Sequence, residues 1–135
     1  MSLRALGLAA VLILGMTLPL STQQSAETPG PKPGTMMLTI FLRHDQNKTL
    51  DQINAHAHET GFDRNFPPPG VEVVSWYVMM GIGQVVTLRF PAERLRDVNL
   101  AIEHGAWGGY HTDFYATYDY KSVWEAQQKK LREGK

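Results

Sequence analysis

The chain contains no cysteine. That removes disulfides, thiolate metal ligands, iron–sulfur clusters, thiol nucleophiles and lipid-modified cysteine at once. It also lacks an excess of either charge, with 13 basic residues balancing 13 acidic ones over 135 residues. Nucleic acid and anionic membrane surfaces both call for a basic excess, so neither is expected as a partner. There is no P-loop, no G-x-G-x-x-G, no G-x-S-x-G and no H-E-x-x-H, so the common phosphate, nucleophile and zinc signatures are missing. Gly81-Ile82-Gly83 has no helix pattern behind it and reads as a turn, and the basic tail Lys129-Lys130-Leu131-Arg132 reads as a solvated helix end. No metal and no organic cofactor is expected. Aromatics are not lacking: three tryptophans, five tyrosines and five phenylalanines are too many for a disordered chain. The length fits one domain.

The first 26 residues read as an address. Met1–Arg4 carries one positive charge and the stretch from Ala5 to Leu20 is apolar or small throughout, a secretory signal pattern. A spanning helix needs about 20 apolar residues, so the run is marginally short. Cleavage is expected after Ala26, although Gln24 fits an A-x-A-type site poorly, and an uncleaved membrane tether over residues 5–20 stays open as the alternative. The expected location is exported, periplasmic or secreted. Residues 27–35 (ETPGPKPGT) hold three prolines and two glycines, an extended spacer. Asn47-Lys48-Thr49 matches the glycosylation sequon.

Residues 36–120 alternate between two periodicities. Met36–Arg43 places Met36, Leu38, Ile40 and Leu42 on one strand face. Thr49-Leu50-Asp51-Gln52 is a capping box, opening a helix that carries Leu50, Ile53 and Ala57 on one face and ends at Gly61. Phe66-Pro67-Pro68-Pro69-Gly70 is a loop. Val71–Met80 and Gln84–Phe90 read as a hairpin. Pro91 suits a first helical position, followed by Leu95, Val98 and Ile102 at helical spacing until His104-Gly105. Tyr110–Tyr118 is the fourth strand, and residues 121–135 form a polar helical tail pinned by Trp124.

The order β-α-β-β-α-β predicts the ferredoxin-like arrangement, an α+β fold with a four-stranded sheet in order 4-1-3-2 and two helices on one face. The other sheet face needs a cover, and the same face of a second copy is the expected one, giving a homodimer. On this element order, on Val74–Arg89 (VSWYVMMGIGQVVTLR) as a hairpin and on Ala106–Asp119 (AWGGYHTDFYATYD) as the last strand, the chain resembles the dimeric α+β-barrel group. Within that group it is most similar to muconolactone-isomerase-type domains. The resemblance implies a dimeric barrel and small organic molecules as ligands; it transfers no catalytic residue.

Strands 1 and 3 are expected to run parallel, with 2 and 4 against them. That places Arg43 and His44, Arg89, and His111 with Asp113 at one edge, and puts Thr39, Phe41, Arg43, Thr87, Arg89, His111, Asp113 and Tyr115 on the non-helical face. Two arginines suit a carboxylate. His111 is the expected proton carrier, oriented by Asp113, with Tyr115 donating to an oxyanion and His44 as an additional binding residue. The competing reading is an ion network that only satisfies charge. Phe41, Trp76, Tyr77 and Tyr115 are either pocket walls or core. His56 and His58 stand about 200° apart on their helix and read as surface residues, and His104 suits the last helical turn. Three functions follow. The first is an exported small-molecule-binding protein or cofactor-free isomerase or lyase acting on a small organic anion. The second is a non-catalytic dimeric module, and the third a haem-binding barrel.

Overall fold

The computed structural model describes residues 32–134; the expected signal segment, its cleavage site and most of the proline spacer lie outside them. Everything described is organised around strand β1 (Thr35–His44), where Leu38, Ile40 and Leu42 are buried on one face in strict alternation. β1 pairs antiparallel with β3 (Gly83–Pro91) from Thr35↔Pro91 to Arg43↔Gly83, and antiparallel with β4 (Tyr110–Thr117) from Met37↔Thr117 to His44↔Tyr110. β2 (Glu72–Met79) pairs with β3 across a bulge between Val73 and Ser75. The sheet order is β2-β3-β1-β4, the ferredoxin-like order read from the sequence.

One expectation is corrected here. β1 and β3 are antiparallel, so strands 1 and 3 do not run together. The crossover through the first helix brings β2 back parallel to β1, and the tight hairpin then reverses β3 against both. Arg43 at the end of β1 therefore faces Gly83 at the start of β3, while Arg89 near the end of β3 faces Met37 near the start of β1. The two arginines stand at opposite ends of the sheet.

Helix α1 (Leu50–Thr60) begins as its capping box dictates. The Thr49 hydroxyl accepts from the Gln52 N–H and the Gln52 side chain accepts from the Thr49 N–H. It ends at Gly61 in the left-handed region, φ 75°. A further short turn, α2 (Phe62–Asn65), stacks Phe62 on Phe66. Pro91 is not the first helical residue: it closes β3 with extended dihedrals, and a 3-10 turn, Ala92–Arg94, leads into α3 (Leu95–Gly105). Proline fits there because its missing N–H costs nothing at a strand end. Ile53 and Ala57 of α1 and Val98 and Ile102 of α3 close over Leu38, Ile40, Leu42, Val86, Leu88 and Phe90 as one core. Leu50 and Leu95, expected on the buried stripes, are each the first residue of their helix and stay exposed. The C-terminal helix α4 (Lys121–Glu133) buries no residue, and Trp124 stays half exposed, so it does not pin the tail.

Three tests follow from this core. Ile40→Ala should cost about 2–5 kcal/mol, as expected for a methyl-rich side chain removed from a close-packed site. At Gly83, φ is 135° and an added Cβ would stand 2.4 Å from the Leu42 carbonyl oxygen. Gly83→Ala should then destabilise by about 2 kcal/mol or more, and Gly81→Ala, strained in φ but in open space, by only about 1 kcal/mol. Urea unfolding of the three variants gives the order directly.

Candidate functional site

The strand registers lay out the open sheet face as four rows running from β2 to β4. The first is Glu72, Arg89, Met37 and Thr117; the second Ser75, Thr87, Thr39 and Tyr115; the third Tyr77, Val85, Phe41 and Asp113; the fourth Met79, Gly83, Arg43 and His111. The face expected from alternation is the face observed. Tyr77 and Tyr115 remain 69% and 53% exposed, so no described helix covers it.

Each end of the face carries an ion pair. Arg43 Nε donates to Asp113 Oδ2 at 2.6 Å, and its guanidinium carbon lies 5.7 Å from the centre of the Phe41 ring. Phe41 in turn meets Tyr115 edge-on, with ring centres 5.6 Å apart. At the far end Arg89 Nη1 donates to both carboxylate oxygens of Glu72, at 2.9 and 3.2 Å, while its Nε is buried without an acceptor among the described residues. Between the ends runs a row of hydroxyls. Thr117 Oγ1 donates to Thr39 Oγ1 at 2.7 Å, and the Thr39 and Thr87 hydroxyls are hydrogen-bonded at 2.9 Å with either able to donate.

Of the residues singled out in the sequence, Arg43, His111 and Asp113 meet at one end, Tyr115 lies one row inward of Asp113 on β4, and Arg89 stands apart. The Asp113 carboxylate turns to Arg43, and among the described residues no hydrogen bond joins it to His111. His44 belongs to the same end of β1 but to the opposite face. Its ring tilts against Tyr110, 5.7 Å between centres, and its edge lies over Gly83. His56 is not a surface bystander, since its Nε2 bonds the Trp107 carbonyl oxygen at 2.7 Å. Trp76 turns to the helical side, where it meets Phe66 edge-on and donates to Gln84 at 2.7 Å.

Two polar residues at this end escaped sequence reasoning. Asp45 Oδ1 accepts from both the backbone N–H and the side-chain amide of Asn47, and Lys48 reaches the Gly108 carbonyl while standing 3.7 Å from Asp45 Oδ2. The signal available was the Asp45-Gln46-Asn47 turn immediately before the capping box. The Asn47 N–H, then its side chain, Lys48 and His111, hold the Asp45 carboxyl below its ordinary value against a smaller opposing effect of burial. At the core side of the same end, burial alone pushes the Tyr110 phenol up. Among the described residues no cluster of histidine and carboxylate groups is arranged to hold a metal ion, and no helix is long and apolar enough to cross a membrane.

No protein-family model matches the chain, and no curated protein is similar enough to it to be matched.

The pH dependence of stability carries the signs of these two shifts. Asp45 has a folded pKa below its ordinary 3.8, so its contribution is present above that value and is lost as pH falls through the folded one. Acid unfolding of Asp45→Asn should therefore show a flatter limb below pH 4 than the parent. Tyr110 behaves oppositely: stability is intact below its ordinary value of 10.0 and declines as pH rises beyond it, a decline that Tyr110→Phe should reduce. The exposed Arg43–Asp113 pair should contribute little to the isolated fold, and Arg43→Ala is expected to cost about 1 kcal/mol or less in urea.

Proposed function

We propose that the protein is an exported, homodimeric small-molecule-binding protein, and that its ligand is a small, partly aromatic organic anion held between two copies of the open sheet face. The observation that carries this reading is the composition of the face itself. It is four strands wide and uncovered by the described helices, with Thr39, Thr87 and Thr117 bonded in a row, Phe41 and Tyr115 packed edge-on beside them, and the ionic groups confined to its two ends. A monomer leaves this surface and the apolar strand beside it wet; a second copy covers it and encloses polar, aromatic space of the kind small molecules occupy. The likeness of the hairpin and last strand to muconolactone-isomerase-type domains supports the same arrangement.

Arg43 is the anchor in this reading. Its Nε is engaged by Asp113, which leaves the Nη1–Nη2 edge to grip a carboxylate in bidentate fashion. His111 lies opposite Arg43 in the register and supplies a second donor. Arg89 is too far along the sheet to share that carboxylate. Binding is favoured over isomerase or lyase chemistry because Asp113 is committed to Arg43 and does not orient His111. One observation favours the second reading, a structural module without a ligand: both arginines already have carboxylate partners within their own sheet.

Light scattering on the full chain should give a dimer, and Phe41→Glu, which places a charge at the centre of the face, should give a folded monomer. A thermal-shift panel of small organic acids and lactones separates the two readings. A ligand at a hundred times its dissociation constant adds about 2.7 kcal/mol, several degrees for a domain of this size. That shift should disappear in Arg43→Ala and persist in Arg89→Ala. A firm dimer with a flat panel establishes the structural module instead, and a monomeric parent chain overturns both.

A further inference from the structure

On the other side of β1 from Arg43, a cleft of about 370 Å³ opens between the tip of the β2–β3 hairpin and the turn that leads into α1. Its size is that of a small-ligand site. One wall is polar, built from His44, Asp45 and Lys48; the other is apolar, built from Leu50, Val78, Met79 and Met80, with Ile53 at the base. The apolar wall is unusually wet. Met80 is 96% exposed, Val78 71% and Leu50 58%, at the end of the sheet where the core residues stop.

The cleft depends on Gly83. With no side chain there, the His44 N–H reaches the Ile82 carbonyl oxygen at 3.0 Å and the imidazole lies across the glycine, while a Cβ would come within 2.4 Å of Leu42 O and 2.9 Å of His44 N. The polar wall presents unspent donors beside one partly used carboxylate. Asp45 Oδ1 is taken by two Asn47 donors and its Oδ2 faces Lys48. The ammonium of Lys48 holds Gly108 O and faces Asp45, which leaves one of its three N–H groups unspent. Among the described residues the His44 ring makes no hydrogen bond. Donors facing an exposed apolar wall select an amphiphile whose head accepts hydrogen bonds.

We propose that this cleft is a binding site for a small monocarboxylate with a short apolar body, its carboxylate on Lys48 and His44 and its chain along Leu50, Val78 and Met80. The site goes beyond the reading of the open sheet face and stands or falls separately, because its polar wall lies on the opposite face of β1 and it uses neither Arg43 nor His111; Met79 and Gly83, at the hairpin tip, border both.

The test is an NMR titration of the full chain with butanoate, hexanoate and octanoate below their aggregation limits, with octan-1-ol as the uncharged control. The amides of Lys48, Leu50, Met80 and Gly81 should shift, and the dissociation constant should fall about fourfold for each added methylene. Lys48→Gln and Met80→Asp should each weaken octanoate tenfold or more. Met80 lies wholly in solvent, so its replacement keeps the test valid if the Lys48 variant folds poorly. Arg43→Gln, on the other face, should leave octanoate binding unchanged while removing the ligand of the open face. The proposal is overturned if octan-1-ol binds as tightly as octanoate, if the shifts fall on the open sheet face, or if the cleft amides respond to protein concentration and not to carboxylate. That last result would mean a second copy covers the cleft.

Discussion

The burial of one face of β1 is the constraint on which the rest of the molecule depends. Leu38, Ile40 and Leu42 are removed from water between the sheet and the two helices, worth about 1.5–3 kcal/mol each. A slip of one residue in either register would turn all three outward. Because β1 is paired on both sides, its register sets that of β3 and β4 together, and it thereby decides which side chains meet on the opposite face. The Arg43–Asp113 pair, the Phe41–Tyr115 contact and the hydroxyl row are consequences of a core they do not touch.

The elements themselves could be read from the chain because their causes are local. Alternation in residues 36–43, the Thr49–Gln52 capping box, Gly61 as a helix stop and the Gly81–Gly83 turn each act within a few residues, and the sheet order followed from them. Strand direction did not, since it depends on combining a crossover with a hairpin. Treating β1 and β3 as parallel carried Arg89 to the wrong end of the sheet, although its face was right. Pro91 shows a different ambiguity, because a fixed φ near −60° suits both the first turn of a helix and the last residue of a strand. Pairing with Thr35, a long-range fact, decided between them.

The candidate site was readable in its membership on β1 and β4 and not in its bonding. Sheet order and strand direction bring Arg43, His111 and Asp113 to one end and alternation puts them on one face, but which of them Asp113 would choose is a matter of angstroms across two strands. Asp45 and Lys48 belong to neither a strand nor a helix, so no periodicity pointed to them; they are brought in by a side-chain turn and by the approach of Gly108 from the turn before β4. The ends of the sheet are where short-range patterns run out and where both proposed sites lie.

The hydroxyl row on the open face has a property that a row of carboxylates or amines lacks. Each hydroxyl has one proton to give and lone pairs to accept with, so the direction of donation between Thr39 and Thr87 is not fixed by the heavy atoms, while Thr117 donates. When Thr117 gives its proton to Thr39, and Thr39 gives to Thr87, the Thr87 hydroxyl is left to donate outward. When Thr117 gives instead to the Tyr115 carbonyl, 2.9 Å away, the order of the other two can reverse and Thr87 offers a lone pair. The same backbone can therefore present either polarity at the centre of the sheet by rotating three O–H bonds. A surface so built accommodates chemically dissimilar neighbours without repacking, because its adjustment is made in hydrogen positions and not in the positions of carbon atoms.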